Sequence, residues 1–222
     1  MKNPIKFSWQ TEIWPLLILV VVIGLSIWAY PQLPDRVVSH WDFYGKPNGW
    51  MSREFHSLMF PALLVFMYGL LSLMPKFDPR GERYAEFAKV YLTLRTMIML
   101  VLAVTLGAAT FSNLGYDINI AATVCGAIGI LMIILGNYFG KLKSNYFIGI
   151  RTSWTLSSEN VWNKTHRLGA KLFVVWGFAL IIAPWLKATI AMGILFGGII
   201  IIIAWTSIYS YLLFNKEKSL KK

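Results

Sequence analysis

Two groups of polar side chains in this sequence are of types that do chemistry, and each sits between apolar runs. The first is His40, Asp42 and His56. Imidazole nitrogens and a carboxylate are ligands for Zn or a similar metal, and such a site would serve a metal-dependent hydrolase. The spacing fits no standard metal-site pattern and shows no fourth ligand. The same residues therefore also read as structural, with His40 bonding its loop and Asp42 capping a turn over 44–48. The second group is Glu159 and His166, seven residues apart. On a helix they share a side but lie two turns distant, too far to share a proton directly. GxSxG, HExxH and phosphate-cradling glycine patterns are absent. Cys125 is the only cysteine, which rules out an intrachain disulfide and a cysteine metal cluster. The reading leans away from an enzyme and toward no cofactor, with a Zn hydrolase kept as an alternative.

The elements that must position these groups are membrane spans. The chain has 222 residues, 57% of them hydrophobic and only 14% charged, against about 25% charged in a soluble domain. A bilayer core of about 30 Å takes roughly 20 apolar residues per helix. Six stretches meet or approach this: 14–30, 55–74, 90–111, 118–139, 168–185 and 188–214. The fold class expected is an all-α membrane protein, a single domain of six transmembrane helices. Arg95 and Lys171 lie one turn inside their spans and are expected to snorkel to the interface. No carboxylate falls in the middle of a span, which argues against an ion-coupled transporter. The first span has no cleavage site after Tyr30-Pro31 and reads as an uncleaved anchor.

The net charge of +11 follows from topology rather than from nucleic acid, for which no direct contact is expected. With both termini cytoplasmic, only Arg36, Lys46, Arg53 and Lys187 face outward. Every other Lys and Arg, from Lys2 and Lys6 to Lys221 and Lys222, lies on the inner side, as the positive-inside rule requires. Anionic membrane lipids are the natural partners of that basic face.

Two connections are long enough to carry function. The outer loop, 31–54, holds prolines, the turn dipeptide Asn48-Gly49 and an alternating run over 36–43. In that run Val38, His40 and Asp42 share one side, and Val37, Ser39, Trp41 and Phe43 the other. The inner loop, 140–167, begins at Gly140, expected in a left-handed helix-ending position. It bends at Gly149 and offers Thr155, Ser157 and Ser158 as N-caps for a helix from about Glu159. Val161, Thr165 and Leu168 fall on one face of that helix and Trp162, His166 and Gly169 on the adjacent stripe. Asn163, Lys164 and Arg167 point to water, so a short amphipathic helix on the inner surface is expected to turn into span five.

The segment 145–169, NYFIGIRTSWTLSSENVWNKTHRLG, closely resembles the hallmark of the SdpI family of bacterial membrane proteins. Its pattern is N-x-x-x-G-I-R-T-x-W-T-L-x-S-x-x-V-W-x-x-T-H-R-x-G. The outer segment with Leu33, Pro34, Asp35, His40, Trp41, Gly45, Lys46, Pro47 and Trp50 resembles the domain of unknown function that commonly precedes it. Departures are small: Ser153 stands where the family often has proline, and Asp42 where asparagine is frequent. The resemblance implies a multi-pass protein of the bacterial cytoplasmic membrane that gives immunity to a secreted toxic peptide. It also implies, for the founding member, a receptor role in which a cytoplasmic repressor protein is held at the membrane. On this expectation Trp41, Tyr44 and Trp50 of the outer loop meet the peptide. Arg151, Thr152, Trp154, Trp162, His166 and Arg167 of the inner loop meet the partner, Trp and Arg being common interface anchors. A structural or assembly role, with the inner loop only anchoring to lipid, is the remaining alternative.

Overall fold

The computed structural model describes residues 4–42 and 44–220; Phe43, Lys2, Lys221 and Lys222 lie outside them. Among the described residues six helical runs are long and apolar enough to cross a membrane: Trp9–Gln32, Arg53–Phe77, Gly81–Asn113, Ile120–Phe139, Glu159–Trp185 and Ala188–Ser219. Within them we label α1 (Trp9–Ala29), α2 (Arg53–Phe77), α3 (Ala88–Asn113), α4 (Ile120–Phe139), α5 (Ser153–Ser157), α6 (Glu159–Ile182), α7 (Ala188–Met192) and α8 (Gly198–Ser219), of which α5 stands outside the spans. One turn of wider π-type winding, Gly193–Gly197, joins α7 to α8.

Helix starts follow local chemistry. Ser8 and Thr11 form a reciprocal capping box, so α1 begins at Trp9, ahead of the apolar run, and takes Glu12 inside the helix. Ser52, Asn119 and Ser158 cap α2, α4 and α6 by accepting from the backbone N–H of Phe55, Ala122 and Val161. Ser158 is the cap among the three candidates the sequence offered, but no separate surface helix turns into span five. One helix runs unbroken from Glu159 to Ile182, because nothing in 159–170 breaks it. Gly140 has φ −67°, an ordinary helical value, so α4 ends without a left-handed residue.

Much large apolar surface faces outward, as in Val20, Phe66, Val175 and Ile203, where lipid rather than water meets it. Helix contacts then rest on close packing. Between α4 and α6, Gly129 and Gly177 stack so tightly that a Cβ on either would sit 2.6 Å from the other's carbonyl oxygen. Leu19, Val22, Leu64, Met99 and Leu106 form the shared core of α1, α2 and α3.

Between α1 and α2 the chain forms a hairpin of β1 (Arg36–Trp41) and β2 (Pro47–Ser52), antiparallel, with an irregularity in the register between Val38 and His40. That irregularity breaks the alternation expected over 36–43. Asn48 and Gly49 lie within β2. The turn is instead at Asp42 and Gly45, where Gly45 has φ +75° and its N–H reaches the Asp42 carbonyl at 3.0 Å. The hairpin is seated on α3 by Asn113, which accepts from Val38 N–H at 2.7 Å and donates to Val38 O at 2.9 Å. Ala29, Leu33 and Val37 form a small buried cluster beneath it.

Candidate functional site

The polar residues gather at the two ends of the bundle. At the hairpin end, His40 and Asp42 serve the hairpin itself. The His40 ring nitrogen Nδ1 bonds Asn48 Oδ1, and Asp42 Oδ1 accepts from Tyr44 and Lys46 N–H at 2.8 and 2.9 Å. His56 is buried in α2, its Nε2 3.1 Å from Thr110 Oγ1 and its ring edge-on to Phe60. Each residue thus has a separate role, and among the described residues no three His, Cys, Asp or Glu side chains gather to hold a metal ion. Of the three aromatic residues expected to meet a ligand, Tyr44 is 74% and Trp50 52% exposed, while Trp41 is half-buried.

The opposite end is a clasp built from two connections. Residues 78–87, between α2 and α3, dock against 142–156. Asp78 is buried; its Oδ1 accepts from Arg80 N–H at 2.7 Å and its Oδ2 from Tyr146 N–H at 2.9 Å and Tyr84 Oη at 3.1 Å. Asn145, wholly buried, accepts at Oδ1 from the N–H of Phe147 and Ile148 and donates from Nδ2 to the carbonyls of Lys143 and Ile148. Arg80 donates to Ser144 Oγ and to Leu156 O, its guanidinium lying over the Tyr146 ring. Arg83 grips Glu159 with two bonds of 2.9 and 2.6 Å, a strong planar pairing. Glu159 is therefore engaged with Arg83, not with His166.

Within the clasp, Trp162 and His166 are fully buried, their rings stacked at 4.0 Å and 23°. Trp162 Nε1 donates to Leu142 O at 2.8 Å. His166 Nε2 accepts from Ile150 N–H at 3.0 Å, while Nδ1 lies 2.8 Å from Trp162 O. A carbonyl can only accept, so Nδ1 carries the proton and Nε2 is bare. The hydrogen-bond network thus selects the neutral Nδ1–H form of the ring. Gly149 closes the clasp at φ +114°, and a Cβ there would collide with His166 Nε2 and come within 3.2 Å of Trp162.

The six residues expected to form one recognition surface divide three ways. Trp162 and His166 have no exposed surface, so they brace the loop from within and do not present a partner-binding face, because the adjacent connection folds over them. Thr152 and Trp154 turn toward the last helix: Thr152 Oγ1 lies 3.0 Å from Ser210 Oγ, and Trp154 packs edge-on to Tyr211 at 5.1 Å. Ser158 and Asn160 donate to Glu217 of that helix as well. Only Arg151 and Arg167 stay exposed, with Arg151 donating to Tyr146 O.

Sequence reading missed the buried pair of α1 and α3. Arg95 is 3% exposed and does not snorkel. It bonds Glu12, also 3% exposed, at 2.8 Å, and Tyr68 Oη donates to the same carboxylate oxygen at 2.9 Å. The capping box at Ser8 was the available signal, since it draws Glu12 into the first span.

Six apolar spans, a seated hairpin at one end and a hydrogen-bonded clasp at the other define an all-α, multi-pass protein of the cell membrane. Comparison with known proteins finds similarity to a known family over part of the chain. The SdpI/YfhL protein family matches residues 141–210, the clasp and the helices after it, and a domain of unknown function (DUF1648) matches residues 17–65, the first two helices and the hairpin. The chain is 25% identical over 204 residues to "Immunity protein SdpI" of Bacillus subtilis (strain 168), an alignment covering 90% of this chain and 96% of that protein. No solved structure matches it.

Proposed function

We propose that this chain is a membrane immunity protein, protecting its cell from a secreted membrane-active peptide. One observation carries this reading. The likeness to the Bacillus immunity protein runs nearly end to end and so includes both the hairpin and the clasp. In this reading both termini and the clasp are cytoplasmic, which the distribution of Lys and Arg supports, and the hairpin faces outward. Tyr44 and Trp50 are exposed on a hairpin that Asn113 ties to α3, which supports a role for them in meeting an apolar peptide at the outer leaflet. Aromatic side chains suit that depth because their rings are amphipathic.

The clasp has a different task. It ties α2, α3, α4, α6 and α8 together at one end, and Arg151 and Arg167 are its exposed cations. Signalling to a cytoplasmic repressor would use those two arginines, and requires a ligand that binds one arrangement of the clasp more tightly than another. Expression in a peptide-sensitive host tests the immunity reading. Protection by the wild type, lost in Tyr44→Ala/Trp50→Ala at equal membrane abundance, is the expected result; no protection by the wild type across a panel of such peptides overturns it.

A further inference from the structure

Arg95 has a donor left unmet among the described residues. Its Nη1 bonds Ser72 Oγ at 3.0 Å, and its Nη2 bonds Glu12 and the Thr11 carbonyl at 2.8 and 3.0 Å. Its Nε is buried with no partner among the described residues. A guanidinium carries five N–H donors and cannot shed its charge to avoid the cost. Beside it is a cavity of about 60 Å³, bordered by Glu12, Tyr68, Ser72, Tyr91 and Arg95, with Ile5 and Phe7 of the segment before α1 also lining it. One water needs roughly 10–15 Å³ of such space, so several fit.

The wall chemistry selects what enters. Glu12 and Arg95 already neutralise one another, and an added ion would bring a charge with nothing to balance it. A small neutral molecule able to accept from Nε and to bond the Ser72 and Tyr68 hydroxyls meets every requirement, and water is the smallest that does. Access is also defined. Ile5 packs against the cluster that holds Tyr84, Leu142 and Trp162, which places the mouth of the cavity at the clasp end, under the segment before α1.

We propose that this cavity is a hydrated site inside the helix bundle, its water completing Arg95 and exchanging with the aqueous phase at the clasp end past Ile5 and Phe7. A dry ion pair would lock α1 to α3, whereas water can take up each bond lost when the helices shift. The site stands apart from the immunity reading, and its test does not use protection.

The test is thiol accessibility in a Cys125→Ser background, using open membrane fragments and the small neutral reagent methyl methanethiosulfonate, which brings no charge into the cavity. Ser72→Cys places a thiol in the cavity. Leu73→Cys places one at nearly the same depth on an exposed apolar face. Only the thiolate reacts, so the cavity position is expected to react at least tenfold faster, and adding Ile5→Ala is expected to raise that rate again. Leu92→Cys reads the same cavity from α3 without removing a partner of Arg95, which covers a misfolded Ser72→Cys. Rates at both cavity positions no faster than at Leu73→Cys overturn the proposal.

Discussion

Replacing Gly149 with alanine attacks the clasp at its tightest point. The cost has two parts. Gly149 sits at φ +114°, where an L-residue pays about 1–2 kcal/mol. The added Cβ also collides with His166 Nε2, and overpacking of that kind costs about 1–3 kcal/mol. His166 cannot easily yield, since its ring is stacked on Trp162 and bonded at both nitrogens. The two parts together destabilise the closed clasp by about 2–5 kcal/mol, and at 1.4 kcal/mol per factor of ten the smaller figure is roughly a thirtyfold rise in the open population. Gly140→Ala is the matched control, because Gly140 has φ −67° and a Cβ there meets nothing nearer than 3.8 Å. Amide hydrogen exchange over 145–152 in detergent is the assay. Gly149→Ala is expected to speed exchange there by at least that factor, and Gly140→Ala to leave it unchanged. Equal exchange in the two variants would refute the idea that Gly149 is held by contact with the Trp162–His166 stack.

Three further outcomes follow from other contacts. Asn113→Ala removes both bonds that seat the hairpin on α3; proteolysis within 36–52 should accelerate by about tenfold for a loss near 1.4 kcal/mol, with the thermal midpoint of the bundle little changed. Arg95→Ala leaves Glu12 buried without its partner and should cost about 3–5 kcal/mol, whereas Glu12→Leu with Arg95→Met should be close to neutral; thermal unfolding in detergent compares them. Asp78→Ala strips the acceptor from Arg80 N–H, Tyr146 N–H and Tyr84, leaving buried donors at about 1–3 kcal/mol each, and should raise exchange over 145–152 without altering the hairpin.

Local pattern carried much of the architecture. The six spans follow from hydropathy, the α6 start from Ser158, and the shared stripe of Trp162, His166 and Gly169 from helical spacing. What failed to read out depended on distant partners. Asp78 is one case: its bond to Tyr146 N–H joins residues 68 apart in sequence. Asn145 was recognisable only as a motif position, though its side chain organises the loop around it. Trp162 and His166 looked like an exposed recognition face because nothing local shows that 78–87 and 142–150 close over them. Arg95 was misplaced for a related reason. A basic residue one turn inside a span snorkels by default, and only the Ser8 cap, six residues before the apolar run seemed to begin, brings Glu12 within its reach. The turn went to Asn48-Gly49 on dipeptide preference, while Asp42 and Gly45 together supplied the stronger geometry.

The most direct test of the central claim is the growth of a sensitive strain challenged with a secreted membrane-active peptide, measured at equal membrane abundance for wild type and Tyr44→Ala/Trp50→Ala. The expected result is at least a tenfold rise in the inhibitory concentration for the wild type and a return to the empty-strain value for the double variant. Full protection by the double variant, or none by the wild type against any peptide in the panel, would contradict the account.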